Sequence, residues 1–337
     1  MNRRLLSLSA RIALVWTSVA LVLLVLEIAL RSLPSLQELD SATPIYIPTR
    51  LRAFDRAINA EHRTVAERHR FGFNDVDRSP EKGAGVFRLV VLGDSFVWGD
   101  GVREEDRWSR KLESALRSRF DNVEVLHWGQ NGWSTLDQMR FLEEQVDDWS
   151  IDAMLIGFVS NDPDMEESLR FTLPFKEVMT VLGYRFLFPE ASAWITGYLG
   201  NVINPHIGAG YNAWKERLYE AENLERWTTL LTLLNALLDG SKIPYVFVMT
   251  PNNGHPSFNP FYAAATTAFE TVGSPYLDLL PHVRSQFGTE RSRRLWANPA
   301  NPHPGSPVTT LYSQVVTQHL DRTCSSEGRR LVGCRFE

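Results

Sequence analysis

The sequence predicts a three-layer α/β domain with a parallel central sheet, preceded by one N-terminal transmembrane helix. Short apolar runs alternate with segments of helical periodicity, and one longer apolar run lies near the N-terminus. Such short runs are typical of parallel strands buried on both faces, and their alternation with helices indicates right-handed crossovers. The predicted strands are VFRLVVLG (86–93), NVEVLHWG (122–129), AMLIGFVS (153–160), YVFVMTP (245–251) and PYLDLL (275–280). The predicted helices run from Trp108 to Phe120, Thr135 to Trp149, Leu224 to Leu238, Pro260 to Thr271 and Val308 to Leu320.

Composition limits the classes of protein to consider. With 337 residues, 44% of them apolar, the chain is long enough to bury a full core. A net charge of -5 gives no reason to expect a nucleic-acid partner, because phosphate binding favours a basic surface. The 22% of charged residues and the ten tryptophans argue against disorder over most of the length.

The longer apolar run, residues 12–30, is interrupted only by Thr17, Ser18 and Glu27. About 20 helical residues cross the ~30 Å hydrocarbon layer of a membrane, so this run is long enough to span it. The apolar region of a secretory signal is shorter, roughly 7–15 residues, and ends at a small-residue cleavage site. The following segment, RSLPSLQELD, contains no such site. We therefore expect an uncleaved anchor rather than a removed signal.

Basic residues predict the orientation of this anchor. Arg3, Arg4 and Arg11 precede the run, whereas only Arg31 follows it directly. Positive charge is retained on the cytoplasmic side, so the N-terminus is expected in the cytoplasm and the remaining chain outside it, in the periplasm or at the cell surface. Glu27, an acid within the run, has Arg31 one helical turn later in the favourable acid-before-base order.

The chain is expected to contain four parts. They are a cytoplasmic tip and anchor (1–31), a connecting segment (32–84), the α/β domain (85–322) with an insertion at about 162–222, and a C-terminal tail (323–337). The tail contains both cysteines, Cys324 and Cys334. Two thiols are too few for the usual four-ligand metal site, and an exported pair is expected to form a disulfide.

Polar residues that suit nucleophilic catalysis follow three of the predicted strands. The first strand ends at Ser95, the second at a turn that contains Gly132, and the third at Asn161. In an open α/β sheet, ligands bind beyond the carboxyl ends of the strands, where these residues lie. A serine hydroxyl becomes a nucleophile when a base removes its proton and fixed donors bind the oxyanion. Glycine backbone N–H groups and an asparagine amide are suitable donors.

A base for Ser95 must come from eight histidines. Two of them, His255 and His303, lie in predicted loops on the same side of the sheet. His303 falls between the last strand and the last helix and is flanked by two prolines. We prefer His303, although the residue pattern alone leaves His255 open.

Four sequence blocks, in this order, resemble those of the SGNH (GDSL-like) hydrolases. They are VVLGDSFVWGDGV (90–102), HWGQNGWST (127–135), IGFVSND (156–162) and NPHPG (301–305). The resemblance extends from about Phe71 to Leu320 and implies the flavodoxin-like α/β/α fold of that family. It also implies Ser95 as nucleophile and His303 as base, with the oxyanion bound by the N–H groups of Ser95 and Gly132 and by the Asn161 side chain. The N-terminal anchor and FGFND (71–75) resemble a membrane-anchored branch.

One position departs from the family pattern. The family usually has an aspartate two or three residues before the histidine, whereas this chain has Asn301 and Ala300. An amide cannot stabilise an imidazolium as a carboxylate does, and in serine proteases the Asp→Asn change costs about 10⁴ in rate. Either Asn301 orients His303, or Asp278 at the end of the preceding strand supplies a carboxylate.

The resemblance implies hydrolysis of an ester through an acyl-serine intermediate, without metal or other cofactor. The expected substrates are acyl or acetyl esters of an exported glycan or lipid. Two alternatives remain open at this point. In the first, the protein is an acyltransferase that passes the acyl group to a glycan hydroxyl instead of water. In the second, the missing aspartate marks an inactive family member that only binds glycan.

Overall fold

The structure is a computed structural model that describes residues 3–32, 49–165, 188–191, 194–195, 214–290 and 292–336. The α-helices whose two ends both lie in the described residues are α1 (Arg3–Arg31), α2 (Thr49–Ala66), α3 (Ser95–Trp98), α4 (Trp108–Arg117), α5 (Thr135–Gln145), α6 (Ala221–Gly240), α7 (Asn259–Val272), α8 (Leu280–Phe287) and α9 (Ser306–Thr323). The strands are β1 (Phe87–Gly93), β2 (Val123–Gly129), β3 (Ala153–Phe158), β4 (Tyr245–Met249), β5 (Tyr276–Asp278), β6 (Trp296–Asn298), β7 (Asn301–Pro304), β8 (Cys324–Glu327) and β9 (Arg330–Cys334).

The chain divides into two compact units. The smaller unit comprises residues 1–54 and 171–211, and the larger comprises residues 55–170 and 212–337. Most of the predicted insertion at 162–222 lies outside the described residues, as do residues 33–48 of the predicted connecting segment.

The larger unit contains a five-stranded parallel sheet in the order β2-β1-β3-β4-β5. This is the flavodoxin-like order, in which the chain reverses direction across the sheet between β1 and β3. Each of the five predicted runs contains one of these strands, so the predicted fold class is confirmed. At the reversal point, the loops after β1, β2 and β3 border the crevice in which such sheets bind ligands.

Both faces of the sheet are covered, which explains why the strands are almost continuously apolar. In β1, Val90 and Leu92 pack into one buried cluster, and Leu89 and Val91 pack into the cluster on the opposite face. Successive side chains of a strand point to opposite faces, so a strand between two helix layers needs apolar residues at every position.

Several described elements of this unit were not predicted, and three of them lie between the last predicted strand and the last predicted helix. Helix α8 directly follows β5, and β6 and β7 form an antiparallel hairpin in the segment predicted to be a loop. The segment was predicted to be a loop because it contains prolines at positions 299, 302 and 304. A short edge strand nevertheless tolerates proline. The hairpin pairs Asn298 with Asn301 and so holds the NPHP segment in extended conformation.

The C-terminal tail is a hairpin joined to the larger unit. Cys324 and Cys334 are paired across β8 and β9 and form a disulfide, as predicted. Leu331 and Cys334 are buried in the core cluster around α9. The amide of Asn122 exchanges two 2.9 Å hydrogen bonds with the backbone of Leu331. The disulfide therefore lies in a hairpin that packs against the rest of the larger unit.

In the smaller unit, the helical segment Ser9–Arg31 of α1 is long enough and apolar enough to cross a membrane, with a mean hydropathy of 2.5. Leu14 and Trp16 in this helix are each 68% exposed. Glu27, the acid within the run, pairs with Arg31 at 2.7 Å and accepts a hydrogen bond from the backbone N–H of Ala191 at 2.9 Å. The expected pairing of these two side chains is present.

Candidate active site

Ser95 is the first residue of α3, at the tight turn that follows β1. Asp94 caps this short helix, its Oδ1 accepting from the backbone N–H of Phe96 at 2.9 Å. The turn packs closely on the sheet: a Cβ at Gly93 would lie 2.6 Å from the Val97 side chain, and one at Gly129 would lie 2.6 Å from the backbone nitrogen of Trp98. Glycine at the two paired strand ends therefore lets α3 lie against the carboxyl edge of the sheet.

His303 contacts the serine directly. Its Nε2 lies 2.9 Å from Oγ of Ser95, although the two residues are separated by 208 positions in the sequence. The histidine is part of β7 and is partly buried, and the ring of Phe96 packs edge-on against it with a centroid distance of 5.5 Å. The structure thus brings together the predicted nucleophile and the preferred base.

Asn301 holds the other nitrogen of the imidazole. Its Oδ1 accepts from the backbone N–H of His303 at 3.1 Å and lies 2.5 Å from Nδ1 of the same residue. A carbonyl oxygen only accepts, so Nδ1 carries the proton of the neutral imidazole. Nε2 then has a free lone pair directed at Ser95, which is the arrangement required of a general base.

The second residue considered for orienting His303, Asp278, has a different partner. Its Oδ1 accepts from the backbone N–H of Leu280 at 2.8 Å, at the start of α8. Burial raises the pKa of Asp278. Of the two alternatives that the sequence leaves open, Asn301 is the residue in contact with the imidazole.

The amide nitrogen of Asn301 donates to two carboxylates that sequence reasoning missed. It lies 3.0 Å from Oδ1 of Asp55 and 2.9 Å from Oδ1 of Asp100. Asp55 belongs to α2, 246 positions away, and no motif marks it. Asp100 falls inside the block that contains Ser95, which is the only signal that could have found it.

Gly132 and Asn161 lie in the turns that follow β2 and β3, the two strands that flank β1. The turn with Gly132 is joined to the end of β1 by a 3.2 Å hydrogen bond from the N–H of Gln130 to Gly93. Gly132 has a φ of +79°, and no atom lies within 4 Å of the position that a Cβ would take. Both residues therefore border the same edge of the sheet as Ser95, and their role as oxyanion donors stays a prediction.

Asp94 gives the serine hydroxyl a second acceptor. Its Oδ2 lies 3.1 Å from Oγ of Ser95, so this carboxylate and Nε2 of His303 are alternative acceptors for the single hydroxyl proton. Asp94 is buried, and burial raises its pKa, against the smaller opposing effect of the hydrogen bond from Phe96. The residue thus holds the turn and also contacts the hydroxyl group.

The competing histidines have other partners. Nδ1 of His255 lies 2.8 Å from Oγ of Ser257 and accepts a hydrogen bond from the backbone N–H of Ser257. His255 thereby caps the N-terminus of a short 3-10 helix. His127 is buried in β2, with Nε2 3.0 Å from a carboxylate oxygen of Glu113. Burial lowers the pKa of His127 to about 4. These contacts favour structural roles for both residues.

Comparison with known proteins gives limited similarity. No family model matches the sequence, and no curated protein matches it significantly. A psychrotrophic esterase from Pseudoalteromonas sp. is similar in structure, with 13% identity over 70% of this chain and 97% of that one, and a TM-score of 0.42. An acetylxylan esterase from Geobacillus stearothermophilus has 14% identity over 69% of this chain and 94% of that one, also with a TM-score of 0.42. At these values the neighbours identify neither the reaction nor the substrate of this chain.

Proposed function

We propose that the chain is a serine ester hydrolase of the SGNH type, anchored in a membrane by α1 with its α/β domain outside the cytoplasm. The observation that carries the proposal is the line of contacts from Asn301 through His303 to Ser95. A serine that only ended a strand would not need an imidazole nitrogen at 2.9 Å whose other nitrogen is held by an acceptor. The same contacts argue against an inactive member that only binds glycan.

The reaction follows from this geometry in two halves. Oγ of Ser95 attacks the ester carbonyl carbon while its proton passes to Nε2 of His303. The C–O bond to the alcohol then breaks, and the imidazolium returns the proton to the leaving oxygen. Water attacks the acyl-serine in the same way, which releases the carboxylic acid and restores the hydroxyl group.

Negative charge that develops on the carbonyl oxygen needs donors on the opposite side of the substrate. We assign this role to the backbone N–H groups of Ser95 and Gly132 and to the side chain of Asn161. The position of Gly132 and Asn161 in the turns flanking β1 supports this assignment. Donors of this kind, preorganised in a protein, stabilise an oxyanion without further rearrangement.

The proposed substrates are acyl or acetyl esters of an exported glycan or lipid. Three arginines before the apolar run and one directly after it support an exported domain. The disulfide between Cys324 and Cys334 suits an oxidising compartment. An esterase fixed at such a membrane surface meets glycans and lipids as its nearest ester-bearing molecules.

The experiment uses the full chain in detergent, with p-nitrophenyl acetate as substrate and a fluorophosphonate as covalent probe. We expect turnover, one phosphonyl group per chain, and the modified peptide to contain Ser95. Ser95→Ala abolishes both signals, whereas Ser118→Ala, at an exposed helix end, retains them. Addition of an oligosaccharide acceptor separates hydrolysis from acyl transfer, because transfer yields acetylated sugar. Equal turnover by wild type and a folded Ser95→Ala variant would refute the proposal.

A further inference from the structure

The amide of Asn301 is clamped between two carboxylates. Its Nδ2 donates to Oδ1 of Asp55 at 3.0 Å and to Oδ1 of Asp100 at 2.9 Å. A half-turn of the amide would bring its oxygen against both carboxylates and its NH₂ group against the N–H of His303. The two orientations of an asparagine amide are therefore strongly unequal here, and Oδ1 must face His303.

We infer that Asp55 and Asp100 are positioning residues for His303 that act through Asn301. The inference rests on the function proposed above. By fixing Oδ1 toward the imidazole, the two carboxylates keep the proton on Nδ1 and leave Nε2 to accept from Ser95. Their negative charges also polarise the amide, so Oδ1 becomes a better acceptor as the imidazole takes up positive charge. The carboxylate usual beside the histidine is thus replaced by two carboxylates acting through one amide.

The carboxylates are themselves held in place by amides. Oδ1 of Asp55 accepts from Nδ2 of Asn298 at 2.7 Å, and Oδ1 of Asp100 accepts from Nδ2 of Asn59 at 2.7 Å. Asn298 and Asn59 also bind the backbone C=O and N–H of Gly101, each at 3.0 Å. Every member of this network has a defined partner, so each carboxylate oxygen that faces Asn301 has a fixed position.

The backbone at Gly101 lies very close to the side chains of Asn301 and Asp55. A Cβ at this position would lie 2.4 Å from Nδ2 of Asn301 and 2.9 Å from Oδ1 of Asp55. Its φ of +75° is in the left-handed region that favours glycine. The backbone can therefore approach the amide only because residue 101 has no side chain.

A double-mutant cycle tests whether the carboxylates act through the amide. The variants are Asp55→Asn/Asp100→Asn, Asn301→Ala and their combination, in the full chain in detergent. The asparagines keep the size and an acceptor oxygen but remove both charges. We expect kcat for p-nitrophenyl acetate to fall roughly tenfold with KM unchanged. In the Asn301→Ala background the same two changes should lower kcat less than about twofold, because coupled residues are non-additive.

Asp121→Asn removes an exposed carboxylate at the opposite edge of the sheet and should leave kcat unchanged. Equal losses in both backgrounds, or no loss in either, would overturn the inference while leaving the proposed function intact. A wild-type chain without Ser95-dependent turnover or fluorophosphonate labelling would instead overturn the proposed function, and the inference with it.

The Asn301→Asp variant is a second test, because kcat should rise if Asn301 acts alone and fall if Asp55 and Asp100 act through it. If Asn301 acted alone, a carboxylate beside His303 would restore the usual family pattern and raise kcat. With Asp55 and Asp100 already at about 3 Å, a third carboxylate meets like charges. We expect kcat to fall, and Asn301→Asp/Asp55→Asn to recover part of the loss. A rate for Asn301→Asp above that of wild type overturns the inference.

Discussion

Oγ of Ser95 and Nε2 of His303 lie 2.9 Å apart, at the end of the first strand of the sheet and in a hairpin that follows the last one. This direct contact is what the proposed reaction requires, because both side chains would then serve one proton transfer. Removal of either one should leave the other without a function in catalysis.

We therefore expect Ser95→Ala and His303→Ala each to remove most of the esterase activity, and the double variant to be little worse than either. Residues that act as a unit show this non-additivity. Rates with p-nitrophenyl acetate measure it, and His255→Ala is the matched control that retains activity. Independent, multiplying losses would contradict a shared proton transfer.

The oxyanion assignment predicts a smaller loss. Asn161→Ala should lower kcat by roughly 10²–10³, because one donor of several is removed. Asn131→Ala, an exposed change in the same turn as Gly132, is the control and should stay near wild type. If Asn161→Ala retained full kcat, the oxyanion would have to be bound by other donors.

Buried His127 predicts how stability depends on pH. Burial lowers its pKa from 6.5 to about 4. Between pH 6.5 and 4 the unfolded chain therefore binds a proton at this residue that the folded chain does not. Acidification through this window should reduce the free energy of unfolding by at most about 1.4 kcal/mol per pH unit for this residue.

His127→Gln keeps a donor toward Glu113 and removes the titration. Thermal unfolding followed by circular dichroism from pH 7 to 4 should show a shallower decline for this variant than for wild type. Below this window Glu113 contributes as well. Burial raises the pKa of Glu113, but the hydrogen bond from His127 and the pairing with Arg110 together outweigh it and lower this pKa to about 2. The stabilisation by ionised Glu113 is therefore lost as the pH falls from about 4.5 to 2. Identical pH slopes for wild type and His127→Gln would contradict the assignment.

The proposed membrane anchor predicts the topology of the chain. Full-length protein should fractionate with membranes, and a reporter fused after Glu337 should be active only outside the cytoplasm. The reason is the excess of arginine before the apolar run. A reporter active in the cytoplasm, or a mature N-terminus near residue 35, would show that α1 is not an anchor with this orientation.

The disulfide predicts how the cysteines react with an alkylating reagent and how much the bridge stabilises the fold. Alkylation should modify Cys324 and Cys334 only after reduction, as read by intact mass. Because the bridge closes a loop with a sequence separation of 10, its removal should lower the free energy of unfolding by about 2–3 kcal/mol. Denaturant unfolding of Cys324→Ala/Cys334→Ala measures this loss. Two thiols alkylated without reduction would contradict the pairing.

The sequence by itself determined the sheet and the two central residues of the candidate site. Continuous apolar runs predict strands buried on both faces, because that pattern is local and follows from burial alone. Ser95 was identifiable because it directly follows a predicted strand, at the edge where such sheets bind ligands. The residue pattern left both His255 and His303 open as the base, and the resemblance to the SGNH hydrolases implied His303. The pairing of the cysteines also followed from their number and the predicted export.

Only the tertiary structure decided which group orients His303. Asn301 and Asp278 were equal candidates in the sequence, and the β6–β7 hairpin brings Asn301 to the imidazole. Asp55 had no signal, because its partner lies 246 positions away and belongs to a different element. Local pattern predicts which residues form a strand or helix, but a hydrogen bond between distant elements depends on how they pack, and that is decided only when the whole domain folds.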